Sequence, residues 1–248
     1  MIQRFRKVLT LAVIFCAFTS EAQQKPCYVI TKSGNRVSGV SLNADANGTL
    51  TLKLDATGAS TTFKRNQYTA AFVPRPDAVK QLESAFEKGK ADLVLKYGPT
   101  ILEKYKYLGW ADVISYYYGM AVLKQNDSEK ALKIFRQGRS FPGRHGDLLD
   151  MGSVSALLAL EKYDQAAPIL ERMLNEADGE QAAFAFNARG DIEASRGNER
   201  DAVLEYLKTL LVFEPGVAEE YRNEAKQRVV SLLKEMGDAR YKDFEKFE

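Results

Sequence analysis

The chain of 248 residues holds one histidine, one tryptophan, two cysteines and seven prolines, and each scarcity excludes something. With His145 as the sole imidazole, a histidine-based metal cluster cannot form. A Ser-His-Asp system would have to run through that one residue, which sits in the glycine-flanked loop "FPGRHGD". No serine is flanked as in a nucleophile elbow. The phosphate-cradling pattern G-x-x-x-x-G-K-[ST], the dinucleotide pattern G-x-G-x-x-G and C-x-x-C are all missing. "NADANGTLTLKLD" approaches a calcium loop at Asn43, Asp45, Asn47 and Gly48, but Leu54 stands where the bidentate Glu belongs, and a hairpin turn accounts for the segment. The chain therefore reads as a non-enzyme, with no catalytic residue, no metal and no cofactor expected.

Long apolar runs are missing too. The longest, "VLTLAVIFCAFT" at 8–19, falls well short of the roughly 20 residues that a spanning helix requires. Arg4, Arg6 and Lys7 precede it, and Ser20-Glu21-Ala22 supplies small residues before Gln23. That is the layout of a secretory signal peptide over residues 1–22. A lipid anchor on Cys16 is not expected, because Phe15 stands where such signals carry a small residue. Removing the signal takes away Arg4, Arg6, Lys7 and Glu21, which cancels the formal net charge of +2. No field is then left to attract nucleic acid or anionic lipid, and no membrane-spanning segment remains. Cys16 goes as well, so Cys27 has no partner for an intramolecular disulfide. The expected location is the periplasm or cell envelope.

What is present falls into two periodicities. Residues 23–74 alternate in short runs, "CYVITKSG", "RVSGVSL", "TLTLKL", "STTFKR" and "YTAAFVP", punctuated by turn residues. The pattern predicts five antiparallel strands. "TKSGNRVSGVSL" with "GTLTLKL" and "FKRNQYTAAFVP" resembles the small Sm-like barrels, in which a Gly like Gly39 lets the second strand bend; the resemblance implies a five-stranded β-barrel. "VPRPD" at 73–77 is a stiff break. Beyond it, from 77 to 248, apolar residues recur three and four apart, as in Val203, Leu207 and Leu210. Helices are predicted at 77–89, 91–106, 110–124, 128–139, 147–160, 163–176, 181–196, 199–212, 217–236 and 238–246.

Three stretches of the helical part share one outline: "NDSEKALKIF", "EKYDQAAPIL" and "GNERDAVLEY". Each has an Ala, at Ala131, Ala166 or Ala202, and a bulky residue four positions later, at Phe135, Leu170 or Tyr206. The spacing of 35 and 36 residues, with Gly119 and Gly190 each 12 before an Ala, resembles the tetratricopeptide repeat family. Val154, Met173 and Thr209 depart from that family's small residues, and its early Trp is absent. The resemblance implies a mainly α chain, a right-handed α-α superhelix of helical hairpins in which these small and bulky residues pack the hairpins together. A single hairpin cannot hide its apolar face, so neighbours must stack.

The resemblance also implies a concave groove lined by the first helix of each hairpin. Its pattern falls on Val113, Tyr116 and Met120, then Leu148, Met151 and Ser155, then Phe184, Asn187 and Asp191. These positions suit an extended or helical segment of a partner protein, bound mainly by apolar anchors. Two other readings stay open. The β domain could be the recognition unit, for a polymer such as glycan, with the repeats as spacer. A hydrolase would need His145 to face a pocket.

Overall fold

The computed structural model describes residues 27–55, 57–176 and 179–247. The expected signal, residues 1–22, lies outside them. Six short strands come first: β1 Cys27–Thr31, β2 Arg36–Gly39, β3 Ser41–Ala44, β4 Leu50–Lys53, β5 Ser60–Phe63 and β6 Tyr68–Phe72. They form two antiparallel three-stranded sheets, β2-β1-β6 and β3-β4-β5, in place of the expected closed five-stranded barrel.

The difference starts at Gly39. "RVSGVSL", expected as one strand, is two, because the chain leaves its pairing with β1 at Cys27↔Gly39 and takes up β4 at Ser41↔Lys53. Val40 N donates to Lys53 O at 2.8 Å at the crossing. A Cβ on Gly39 would stand 2.3 Å from Lys53 O and 2.8 Å from the Leu52 side chain, so the crossing requires glycine. The hydrophobic alternation then brings both sheets onto one core of Val29, Leu42, Leu50, Leu52, Tyr68 and Ala71. The "NADANG" segment is a turn: Asp45 Oδ1 accepts from Asn47 N at 2.9 Å and Thr49 N at 2.8 Å.

Ten helices follow among the described residues: α1 Asp77–Glu87, α2 Ala91–Tyr105, α3 Ala111–Leu123, α4 Ser128–Arg139, α5 Gly146–Ala159, α6 Tyr163–Glu176, α7 Gly179–Ser195, α8 Glu199–Val212, α9 Glu219–Glu235 and α10 Tyr241–Glu245. Each predicted helix is found. Pro99 and Pro168 sit inside α2 and α6. Pro168 is the sixth residue of α6, past the first turn, so it removes an N–H that would otherwise bond to Asp164 O. Consecutive helices pack on each other, and α1, α3, α5, α7 and α9 also each touch the next of that odd series. The odd helices thus make a continuous row while the even ones lie to its side.

Glycines set how closely the pairs approach. Phe135 of α4 is fully buried, and a Cβ on Gly119 of α3 would come 2.3 Å from its ring. Gly152 of α5 meets the same ring from the next helix, with a corresponding distance of 2.5 Å. Tyr206 of α8 fits against Gly190 of α7 in the same way, at 2.4 Å. Ala131, Ala166 and Ala202 are each 0 % exposed, and Leu170 is 1 % exposed. Burying an aromatic ring in such a socket contributes roughly 3 kcal/mol.

The β unit is joined to the helices through more than the chain. Leu108, between α2 and α3, belongs to the β core. Val73 N donates to Leu108 O at 3.3 Å, and Trp110 Nε1 donates to Val73 O at 3.1 Å. Gly109 has φ +84°, and a Cβ there would meet the Phe72 ring at 2.2 Å.

A candidate binding face on the odd helices

The nine positions expected along the groove separate by burial. Val113, Met151 and Asn187 are 5 %, 7 % and 3 % exposed and serve the core. Asn187 is fully engaged: its Nδ2 donates to Tyr221 O at 2.8 Å and its Oδ1 accepts from Thr209 Oγ1 at 2.7 Å, tying α7 to α8 and α9. Ser155 turns its hydroxyl back to Met151 O at 3.0 Å. Leu148 packs, half-buried, against the α1–α3 core with Val113.

Tyr116, Met120 and Phe184 are instead each half-buried against the central core, as is Tyr221 of α9. The rings of Phe184 and Tyr221 meet edge to face with centroids 5.8 Å apart. Tyr116 meets Tyr117 at 5.2 Å, and Tyr117 in turn donates to Glu83 Oε1 at 2.9 Å. The carboxylates nearby are Glu180 and Glu220. Burial raises the pKa of the Tyr116 phenol, and the fields of Glu220 and Glu180 raise it further. Tyr221 is raised by the same burial, by Tyr116 and by those two carboxylates. Both phenols therefore stay protonated, each with an O–H available to donate.

Asp191, at the C-terminal end of the row, accepts from Tyr206 Oη at 2.6 Å and is ion-paired with Arg228 of α9. Burial raises its pKa, against the lowering effect of those two partners. Arg228 also reaches Glu224 at 2.9 Å. The arrangement bolts α7, α8 and α9 together.

Tyr221, Glu180 and Glu220 were not among the expected positions. Tyr221 falls in the helix predicted at 217–236, and its one signal is an aromatic in the charged run "AEEYRNEA". His145 is exposed at the start of α5; its backbone N–H donates to Asp112 Oδ2 at 2.5 Å, while its ring makes no hydrogen bond among the described residues. Among the described residues no group of three or more His, Cys, Asp or Glu side chains is placed to hold a metal ion, and no helix is long and apolar enough to cross a membrane.

Comparison with known proteins finds no matching family model, no matching curated protein and no matching solved structure.

Proposed function

We propose that the chain is an exported, non-enzymatic scaffold of the bacterial cell envelope, whose hairpins form a tetratricopeptide-like superhelix and hold a segment of another protein along the odd helices. The observation that carries this reading is that Tyr116, Phe184 and Tyr221, from α3, α7 and α9, are half-buried over one core, with Tyr221 in ring contact with Phe184 and within electrostatic reach of Tyr116. Rigid aromatic anchors give contact area at little cost in side-chain entropy. Glu180 and Glu220 beside them favour a partner segment that carries aliphatic or aromatic anchors with Lys or Arg among them. The N-terminal layout of basic residues, apolar run and small residues supports export.

The test is affinity capture from envelope extract with three forms of the chain beginning at Gln23: native, Tyr116→Ala with Phe184→Ala, and Leu204→Ser with Leu211→Ser. The last pair alters residues of α8 that are 57 % and 68 % exposed. All three are first checked for helical circular dichroism. A partner kept by the native and α8 forms and lost by the aromatic variant supports the proposal. Equal retention by all three removes it.

The polymer-binding reading rests on a cavity of about 590 Å³ between the sheets and α2, walled by Val40, Leu42, Pro74, Pro76, Lys104 and Tyr105. It is tested in the full chain, because Leu108 belongs to the β core and truncation would open it. Loss of sedimentation with cell-wall polysaccharide in Tyr105→Ala would favour it.

A further inference from the structure

Where the sheet β2-β1-β6 meets the starts of α3 and α5 there is a second cleft, of about 390 Å³. Its walls carry Tyr28, Arg36, Phe72, Arg75, Trp110, Arg144 and His145. Five separate stretches of sequence contribute, so no motif announces it.

The arginines are held in an unusual way. The guanidinium of Arg36 lies 3.7 Å from the centre of the Tyr28 ring, and that of Arg144 lies 4.1 Å from the centre of Phe72 and 5.6 Å from that of Tyr28. Arg144 also donates to the Tyr28 hydroxyl. Neither Arg36 nor Arg144 has a carboxylate partner among the described residues. Arg75 does, in Glu83. The Asp112 carboxylate is buried under the 143–145 loop and bonded to the backbone N–H groups of His145 and Val113.

Stacking on an aromatic face orients a guanidinium while leaving most of its N–H donors unused. Two like charges are thereby held against one tyrosine, and neither is ion-paired among the described residues. Trp110 and His145, both on the cleft wall, immediately precede α3 and α5, and Asp112 already accepts from N–H groups at both helix starts, so the positive charge of the cleft comes from its arginines. Arginine forks match the oxygens of a tetrahedral dianion. The volume is that of a small-molecule site, and the position between two structural units is usual for one.

We propose that this cleft binds a phosphate-class dianion, either free phosphate or the phosphoryl group of a compact monoester, through Arg36 and Arg144. This inference is independent of the partner-binding face on the odd helices, which lies on other residues.

The experiment is isothermal titration of the chain from Gln23 with inorganic phosphate, and separately with glucose 6-phosphate and unphosphorylated glucose, at an ionic strength held constant with chloride. Saturable binding of phosphate or the monoester, weakened about tenfold by Arg144→Gln and by Arg36→Gln, is the expected result. Arg136→Gln on α4 should leave it unchanged. Tighter binding of the monoester than of phosphate assigns the ester as ligand, and the reverse order assigns the free ion. Arg36 stacks on the sheet edge without a hydrogen bond among the described residues, so Arg36→Gln keeps the test valid if Arg144→Gln disturbs the junction. No saturable heat with either phosphate compound overturns the proposal. So does equal affinity in native chain and Arg36→Gln, or binding of glucose as tight as that of its phosphate.

Discussion

In the α3–α4 and α7–α8 hairpins the bulky residue after the buried alanine is aromatic, and glycine stands 16 positions before it: Gly119 with Phe135, and Gly190 with Tyr206. In the α5–α6 hairpin the same two positions are Val154 and Leu170, 0 % and 1 % exposed in the same core. One joint combines no side chain with a ring, and the other combines two aliphatic side chains of middling size. The total volume is shared out differently while the helices still pack closely. A close-packed interior constrains the sum across a joint more tightly than the identity of either member. Val154, which departs from the tetratricopeptide pattern, is then matched by the smaller Leu170.

The comparison breaks most visibly at the glycines. Gly190→Val and Gly119→Val force a branched side chain well inside van der Waals contact with a buried ring, since even a Cβ would stand 2.4 Å and 2.3 Å away. Each should cost about 3 kcal/mol, of which improved helix propensity returns only a few tenths. Urea denaturation followed by circular dichroism measures it. A loss below about 0.5 kcal/mol would mean the helices slide apart freely and the joint is not tightly specified.

The next test converts one joint into the other. Val154→Gly should cost about 2 kcal/mol, from lost burial together with the glycine penalty in a helix. Adding Leu170→Phe should restore at least about 1 kcal/mol, a coupling a double-mutant cycle reads directly. Strict additivity of the two changes would show that Val154 and Leu170 do not share a volume.

Much of this was legible beforehand. The ten helices were readable because a 3.6-residue apolar period and its turn residues are local properties, as was the spacing from Gly119 and Gly190 to Ala131 and Ala202. What was not legible depends on contacts distant in sequence. Gly39 was recognised as a bend, but that the bend passes the chain from β1 to β4 depends on Lys53 and Leu52. Periodicity could not say that Val113, Met151 and Asn187 turn inward while Tyr116 and Phe184 stay half-exposed, because a helix turns by 100° per residue and a neighbour's bulk decides which flank is covered. Tyr221 reaches the same face from a helix in which nearly half the residues are charged.

The two aromatic joints also differ from each other by one hydroxyl. Tyr206 Oη donates to Asp191 at 2.6 Å, whereas Phe135 has no polar atom to satisfy. Tyr206→Phe should cost about 1.5 kcal/mol, as expected for a hydrogen bond to a charged group, while Phe135→Tyr should cost a similar amount for the opposite reason, by burying a hydroxyl against Gly119 and Gly152. Thermal unfolding of both variants distinguishes them from a pure volume effect, because the first removes no ring carbon.

The smallest effect separates the helical region from the sheets by pH. Burial raises Asp191 above the ordinary 3.8, whereas hydrogen bonds from the Thr49 backbone to Asp45 and from the Thr57 side chain to Asp55 hold those two below it. The signs are opposite. For Asp191 the folded chain binds the proton more readily than the unfolded one, so its charged form is a cost at neutral pH that is relieved as pH falls through its raised pKa. Asp45 and Asp55 contribute stability above 3.8 that is lost as pH falls through their lowered values. A carboxyl carbon NMR titration should place the Asp191 midpoint above 3.8 and the other two below it. Asp191→Asn should remove the first of these trends and leave the turns of the sheets titrating as before. An Asp191 midpoint below the ordinary value would mean that Arg228 and Tyr206 outweigh burial, and the α7–α8 joint would then lose stability in acid along with the turns.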